Sequence, residues 1–355
     1  MAKLRKLGWL IAGATAAWAG GSYYAVQTVF SHMYAKWVPE KYTWKLRYSE
    51  IIEKYPGKYD RRPVNFYSGN NRLQGYIYNE KSEKGMIVFS HGIFSCHEDY
   101  IGVILGLVDR GWCVFAFDNT GTGESEGEDG RGLVQGPLDL HAALCYIEST
   151  PGLAERKRFL VGHSQGGYSV GAVLNFEHRI DGVVSISGFS TPYEVTTELG
   201  ETMYGDVVKI TFPMIALEYK KRFGEYAELS SIDGINAYEG PVLVMHGVED
   251  DYVSYKGSAI INHSYEIMNP RISYSHLSWP GRSGHVSIFS NEEGAAMVKE
   301  IEAKLEALRK EYKVGDNRDI PEEKLIEVYA DVDKWKASAG NEELYDEIND
   351  WLENL

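Results

Sequence analysis

At 355 residues, with 44% hydrophobic and 25% charged side chains, the chain can bury a substantial core as one main domain with additions, and its composition excludes a disordered or collagen-like protein. A formal net charge of −15 argues against nucleic acid or an anionic surface as the main partner, because the long-range field repels both. Cys96, Cys113 and Cys145 lack C-x-x-C spacing, and an odd number cannot all pair within one chain, so all three are expected free, with Cys113 and Cys145 as small buried thiols.

Residues 1–35 stand apart. Lys3, Arg5 and Lys6 precede a stretch from Leu7 to Ala35 without Asp, Glu, Lys or Arg, and the run Trp9 to Phe30 predicts a membrane-crossing helix. This reads as an uncleaved anchor, with a signal peptide cut after Ala17-Trp18-Ala19 as the alternative. Either reading places the remaining chain outside the cytoplasm. Residues 36–62 read as a linker.

Apolar or alternating runs then predict eight strands: Val64 to Tyr67, Leu73 to Tyr78, Met86 to Phe89, Cys113 to Phe117, Arg158 to Val161, Gly182 to Ile186, Val242 to Met245 and Ile272 to Trp279. Ser68-Gly69-Asn70-Asn71 suggests a hairpin between the first two, and helical stretches between the later ones suit parallel crossovers. The expected fold is α/β, with a mostly parallel eight-stranded sheet flanked by helices; its core spans residues 63–188 and 240–313. Residues 189–239 supply more chain than one crossover needs and are expected to form a helical lid after the sixth strand, whose Tyr193, Tyr204, Phe212, Tyr219, Phe223 and Tyr226 either line a pocket or pack the lid down. Residues 314–355 read as an acidic helical extension.

The strand Arg158 to Val161 runs into Gly162-His163-Ser164-Gln165-Gly166-Gly167, a G-x-S-x-G turn followed by a helix-compatible segment. A serine on such a sharp strand-to-helix turn is presented at the edge of the sheet, and flanking glycines avoid collisions with adjoining backbone. A serine hydroxyl needs a base to take its proton and an acid to orient that base. Strand Val242 to Met245 leads into His246-Gly247-Val248-Glu249-Asp250, and the next strand into Gly284-His285, so Ser164, Asp250 and His285 are the expected nucleophile, acid and base. Glu249 and Asp251 are the alternative acids. The two amides expected to hold an oxyanion are those of Gln165 and Ile93, with Phe94 as fallback.

With those residues placed, the chain resembles the α/β-hydrolase superfamily over about Val64 to Leu308. The branch it looks most like is the serine aminopeptidase S33-type, which includes monoacylglycerol lipase-like enzymes. The resemblance rests on His91-Gly92, the turn Asp118 to Ser125, the Ser164 elbow, and His246-Gly247-x-x-Asp250 before Gly284-His285. It implies a serine hydrolase acting through an acyl-enzyme, with no cofactor or metal, and the aromatic insertion and a neighbouring bilayer favour a carboxylic ester of a small molecule as the substrate. An aminopeptidase or amidase, an acyltransferase and a non-catalytic binding protein are the alternatives. The family turn commonly carries arginine where this chain has Thr120.

Overall fold

The computed structural model describes residues 2–355, with side chains from Ala17 onward. Two helices, α1 (Ala2–Met33) and α2 (Tyr48–Lys54), precede the hairpin β1 (Arg61–Ser68) and β2 (Asn71–Tyr78). Strands and helices then alternate through β3 (Met86–Ser90), α3 (Ile101–Asp109), β4 (Cys113–Phe117), α4 (Gln135–Ser149), β5 (Arg158–His163), α5 (Gln165–Ala172) and β6 (Gly182–Ile186). Between β6 and the next strand lie α6 (Pro192–Tyr204), α7 (Phe212–Phe223) and α8 (Ser231–Ala237). The sheet is completed by β7 (Val242–Gly247) and β8 (Ile272–Leu277), after which come α9 (Glu292–Tyr312), α10 (Glu322–Tyr329), α11 (Lys334–Ala337) and α12 (Glu342–Glu353).

The sheet order is β1-β2-β4-β3-β5-β6-β7-β8. The β1/β2 hairpin is antiparallel and the pairs from β3/β4 onward are parallel, as the strand runs and their spacing predict, while the antiparallel β2/β4 pair is seen only in the fold. Burial explains the sequence patterns. Strands β3, β4, β5 and β6 are buried at every position and read as mainly apolar runs, interrupted at Ser90, Arg158, His163 and Ser185, whereas edge strand β1 alternates, turning Val64, Phe66 and Ser68 inward. Because β3, β5, β7 and β8 run parallel, the loops that follow them emerge along one edge of the sheet, where ligands of open α/β sheets gather.

Each face of the sheet has its own core. One face is covered by α4, α5, α8 and the inner side of α7, with Leu140, Val170, Ile235 and Tyr219 buried there. The opposite face is covered by α3 and α12, with Ile104, Leu107, Tyr345 and Ile348 buried against Trp112 and Phe159. The segment before β1 also adds to this second core through Leu46, Ile51 and Tyr59.

The structure corrects two expectations. Among the described residues no helix is long and apolar enough to cross a membrane, so the transmembrane anchor, and with it a domain held outside the cytoplasm, is overturned. From Ala17 to Met33, α1 carries Gly20, Gly21, Ser22, Gln27, Thr28, Ser31 and His32, which lower its mean hydropathy, and its apolar residues have a protein surface to cover. Val26, Phe30 and Tyr34 are buried, Phe30 lying edge-on to Tyr219 at 5.3 Å and the Tyr34 hydroxyl 3.2 Å from that of Tyr219. A cut after Ala19 would fall within this helix. The basic cluster Lys3, Arg5 and Lys6 lies outside the residues whose side chains are described. The second correction concerns Cys145, which is exposed on α4, whereas Cys96 and Cys113 are buried; all three thiols are free.

Candidate active site

The turn from β5 into α5 holds Ser164 at φ 58°, ψ −118°, a left-handed conformation costly for any residue with a side chain. Neighbouring glycines make the turn possible. A Cβ on Gly166 would stand 1.9 Å from the Ser90 carbonyl oxygen, and one on Gly162 would stand 2.2 Å from the Gly166 carbonyl oxygen, so neither position admits a side chain without displacing backbone. Ser164 is thereby lifted to the sheet edge while remaining 6% exposed.

Three side chains from three loops form a continuous row. His285, on the loop after β8, has Nε2 2.9 Å from the Ser164 Oγ and Nδ1 2.8 Å from Asp250 Oδ2. Asp250 follows β7. Its other oxygen, Oδ1, accepts the backbone N–H groups of Tyr252 at 3.0 Å and Val253 at 2.9 Å. Burial raises the Asp250 pKa, but the adjoining His246 and His285 imidazoles outweigh it and hold the carboxyl well below the usual carboxylate range. Its neighbours Glu249 and Asp251 are both exposed.

A second layer of histidines surrounds this row. Buried His246 donates its Nε2–H to the Val253 carbonyl at 2.9 Å and lies 3.3 Å from Asp250 Oδ2, the same oxygen that His285 faces. His163, inside the elbow, donates its Nε2–H to the His285 carbonyl at 2.9 Å, and its Nδ1 accepts from the Tyr100 hydroxyl at 2.7 Å. Burial, then the neighbouring His285 ring, pushes the His163 pKa well down, so it stays neutral. The sequence sets His163 inside the elbow next to Ser164 but assigns His246 and Tyr100 no role in the site. The four-residue spacing of His246 and Asp250 on one tight turn was the available signal for the first; Tyr100 carries none.

The loop after β3 closes the site. Gly92 lies against Ser164: a Cβ there would be 3.3 Å from the serine Cβ, and its N–H donates to the Tyr100 hydroxyl at 3.2 Å. His91 fixes the loop's base, its Nε2 accepting from the Asn119 amide at 3.0 Å while its Nδ1 faces the Gly92 carbonyl at 2.7 Å. Among the described residues neither the Ile93 nor the Gln165 backbone N–H has a protein acceptor, so both amides stay available beside Ser164. In the turn after β4, Thr120 takes both its amide and its hydroxyl to buried Asp139, at 2.7 and 2.9 Å. A short hydroxyl there satisfies a carboxylate that burial pushes above its ordinary pKa.

Tyr219 of the helical insertion is buried against α1 and Phe223 is buried beside Tyr219 and Arg131, so both are unavailable to a pocket, whereas Tyr193, Tyr204 and Tyr226 are exposed. Closer to the row, Phe94 (46% exposed), Tyr252 (59%) and Val286 (51%) are solvent-facing groups next in sequence or close to Ile93, Asp250 and His285, and the Tyr252 ring stacks on His285 at 5.3 Å.

Sheet order, crossovers and the strained serine elbow are those of the α/β-hydrolase fold. Residues 81–218 match the family described as serine aminopeptidase, S33, a span that includes Ile93, Ser164 and Gln165 and ends before Asp250 and His285. An α/β-hydrolase of Vibrio vulnificus superposes with a TM-score of 0.55 at 15% identity, covering 79% of this chain and 93% of its own. An esterase of Pyrococcus furiosus gives 0.54 at 16% identity, covering 79% and 97%. No curated protein matches the chain.

Proposed function

We propose that the protein is a serine hydrolase that cleaves a carboxylic ester of a small molecule through an acyl-enzyme on Ser164. The observation that carries this reading is the unbroken row Asp250–His285–Ser164, at 2.8 and 2.9 Å, beside two unclaimed backbone amides. In the proposed reaction His285 Nε2 takes the Ser164 proton as Oγ attacks the substrate carbonyl. Asp250, held ionised by its hydrogen bonds, stabilises the imidazolium through Nδ1–H. The Ile93 and Gln165 amides receive the oxyanion at the start of α5, where the helix dipole favours negative charge. Collapse expels the alcohol, which takes the proton from His285, and water repeats the sequence to release the acid.

The apolar rim of Phe94, Tyr252 and Val286 supports an ester with an apolar acyl or alcohol group over a charged peptide. The argument from a neighbouring bilayer falls with the anchor. Amide hydrolysis remains the second reading, favoured by the family whose description the match carries.

The test is labelling of the full chain by a fluorophosphonate together with turnover of p-nitrophenyl esters of increasing chain length. Labelling is expected to vanish in Ser164→Ala, and turnover to fall by about 10⁴-fold or more in both Ser164→Ala and His285→Ala. A folded wild type that is neither labelled nor active sinks the catalytic reading. Turnover of aminoacyl anilides but not of esters moves the assignment to amides.

A further inference from the structure

Helix α4 carries His141, Cys145 and Glu148 at spacings of four and three residues, which places all three on one helical face. His178, from the loop before β6, comes down onto that face. Its Nδ1 lies 3.0 Å from Glu148 Oε2 and its Nε2 lies 2.7 Å from His141 Nδ1, while His141 Nε2 is 3.8 Å from Cys145 Sγ. One ligand atom from each of His141, Cys145 and His178 can be chosen so that all three lie within 4.8 Å of one another.

We propose that His141, Cys145 and His178 form a binding site for a divalent transition metal of the zinc type, separate from the serine row. The donor set argues for that class of ion: one thiol and two imidazoles suit zinc and its neighbours, whereas calcium and magnesium require oxygen ligands. Hydrogen bonding has already oriented the key ligand. His178 donates Nδ1–H to Glu148, so its Nε2 lone pair points at the cluster, which is how ligating histidines are held by a carboxylate behind them. Glu148 is itself fixed, accepting from Arg158 Nη1 at 2.8 Å and from the Arg179 amide at 3.1 Å. The His141 ring is held flat against Phe176 at 4.4 Å.

Around a tetrahedral zinc, ligand atoms lie about 3.3–3.6 Å apart, as follows from bond lengths of about 2.0–2.3 Å. The two imidazoles must therefore part slightly and Cys145 move inward, which an exposed residue on a helix surface allows. On binding, the Cys145 thiol loses its proton to solvent, and the His141 N–H is carried on the nitrogen turned away from the metal. Three protein ligands leave a fourth position for water or an exogenous ligand, and because His141 and Cys145 line a surface groove between α4 and the β1–β2 hairpin, that position is reachable from solvent.

The test uses the untagged full chain, stripped with a chelator and titrated with Co²⁺ and then Zn²⁺. One equivalent of Co²⁺ is expected to give intense visible bands of a tetrahedral site and a near-ultraviolet thiolate-to-cobalt band, both displaced by Zn²⁺. Cys145→Ser should abolish the thiolate band, and Glu148→Gln should weaken Zn²⁺ binding by about 10- to 100-fold. Ser164→Ala should bind as wild type does, which separates this site from the proposed chemistry. Each variant's thermal midpoint without metal establishes that it is folded. Failure to retain one equivalent of either ion in equilibrium dialysis, or binding unchanged in both Cys145→Ser and His178→Gln, overturns the proposal.

Discussion

Asp250 is gripped by two histidines and two backbone amides, and the grip separates its two jobs. Oδ1 is taken by the backbone of its own loop, leaving Oδ2 for His285, so the proposed acid is held in place by the fold itself. Asp250→Asn should leave the fold intact and lower kcat by about 10⁴-fold, because an amide no longer selects the required imidazole tautomer. The same hydrogen bonds tie stability to pH. With the carboxyl depressed in the folded state, Asp250 contributes stability in full above its unfolded value of about 3.9, and that contribution fades as pH falls below it toward the folded value. The difference in thermal midpoint between wild type and Asp250→Asn should therefore narrow below about pH 4; a constant difference from pH 7 to pH 3 would refute the linkage. His246→Ala removes the donor to the buried Val253 carbonyl and should cost about 1–3 kcal/mol from that loss, with the cavity adding to it, as read by urea unfolding.

Elements decide where these residues can stand. The elbow depends on β3 and α5 approaching so closely that only glycine fits at position 166. Gly166→Ala drives a methyl into the Ser90 carbonyl and should destabilise the protein by more than about 4 kcal/mol, or prevent folding altogether, in chemical denaturation. Helix α1 makes the complementary case. Phe30 fills a site between Tyr34 and Tyr219, so Phe30→Ala should cost about 3–5 kcal/mol and raise hydrogen exchange selectively in α7. Unchanged exchange in α7 would show that this contact does not hold the insertion.

Across the whole molecule, both ends of the chain complete the core. Leu344, Tyr345, Ile348 and Leu352 of α12 are buried against the sheet, and the ring of Tyr345 occupies the space that the absent side chains of Gly106 and Gly340 leave open. A chain ending at Asn341 would expose Trp112 and Phe159 and is expected to aggregate on expression; recovery of a soluble, cooperatively unfolding protein would contradict this. The acidic segment that reads as an extension is thus a structural layer. Its charges face solvent and its apolar stripe faces the sheet, a pattern that by itself names no partner.

Local chemistry was legible. Eight apolar or alternating runs specify the strands because burial on one face or two leaves a direct mark on residue order, and a serine between glycines after a strand specifies the elbow because backbone collisions there are local. Ser164, Asp250 and His285 could be nominated from position alone, since each follows a strand that ends on the same edge. What no run of residues could decide was which surface covers which. An apolar first helix reads alike whether it faces lipid or the aromatic side of α7, and only the folded arrangement, with Phe30 and Tyr34 against Tyr219, settles it. The meeting of His178 with His141 and Cys145, 37 residues apart for the two histidines, is likewise a product of the tertiary fold, because the loop before β6 reaches α4 only once the sheet has formed.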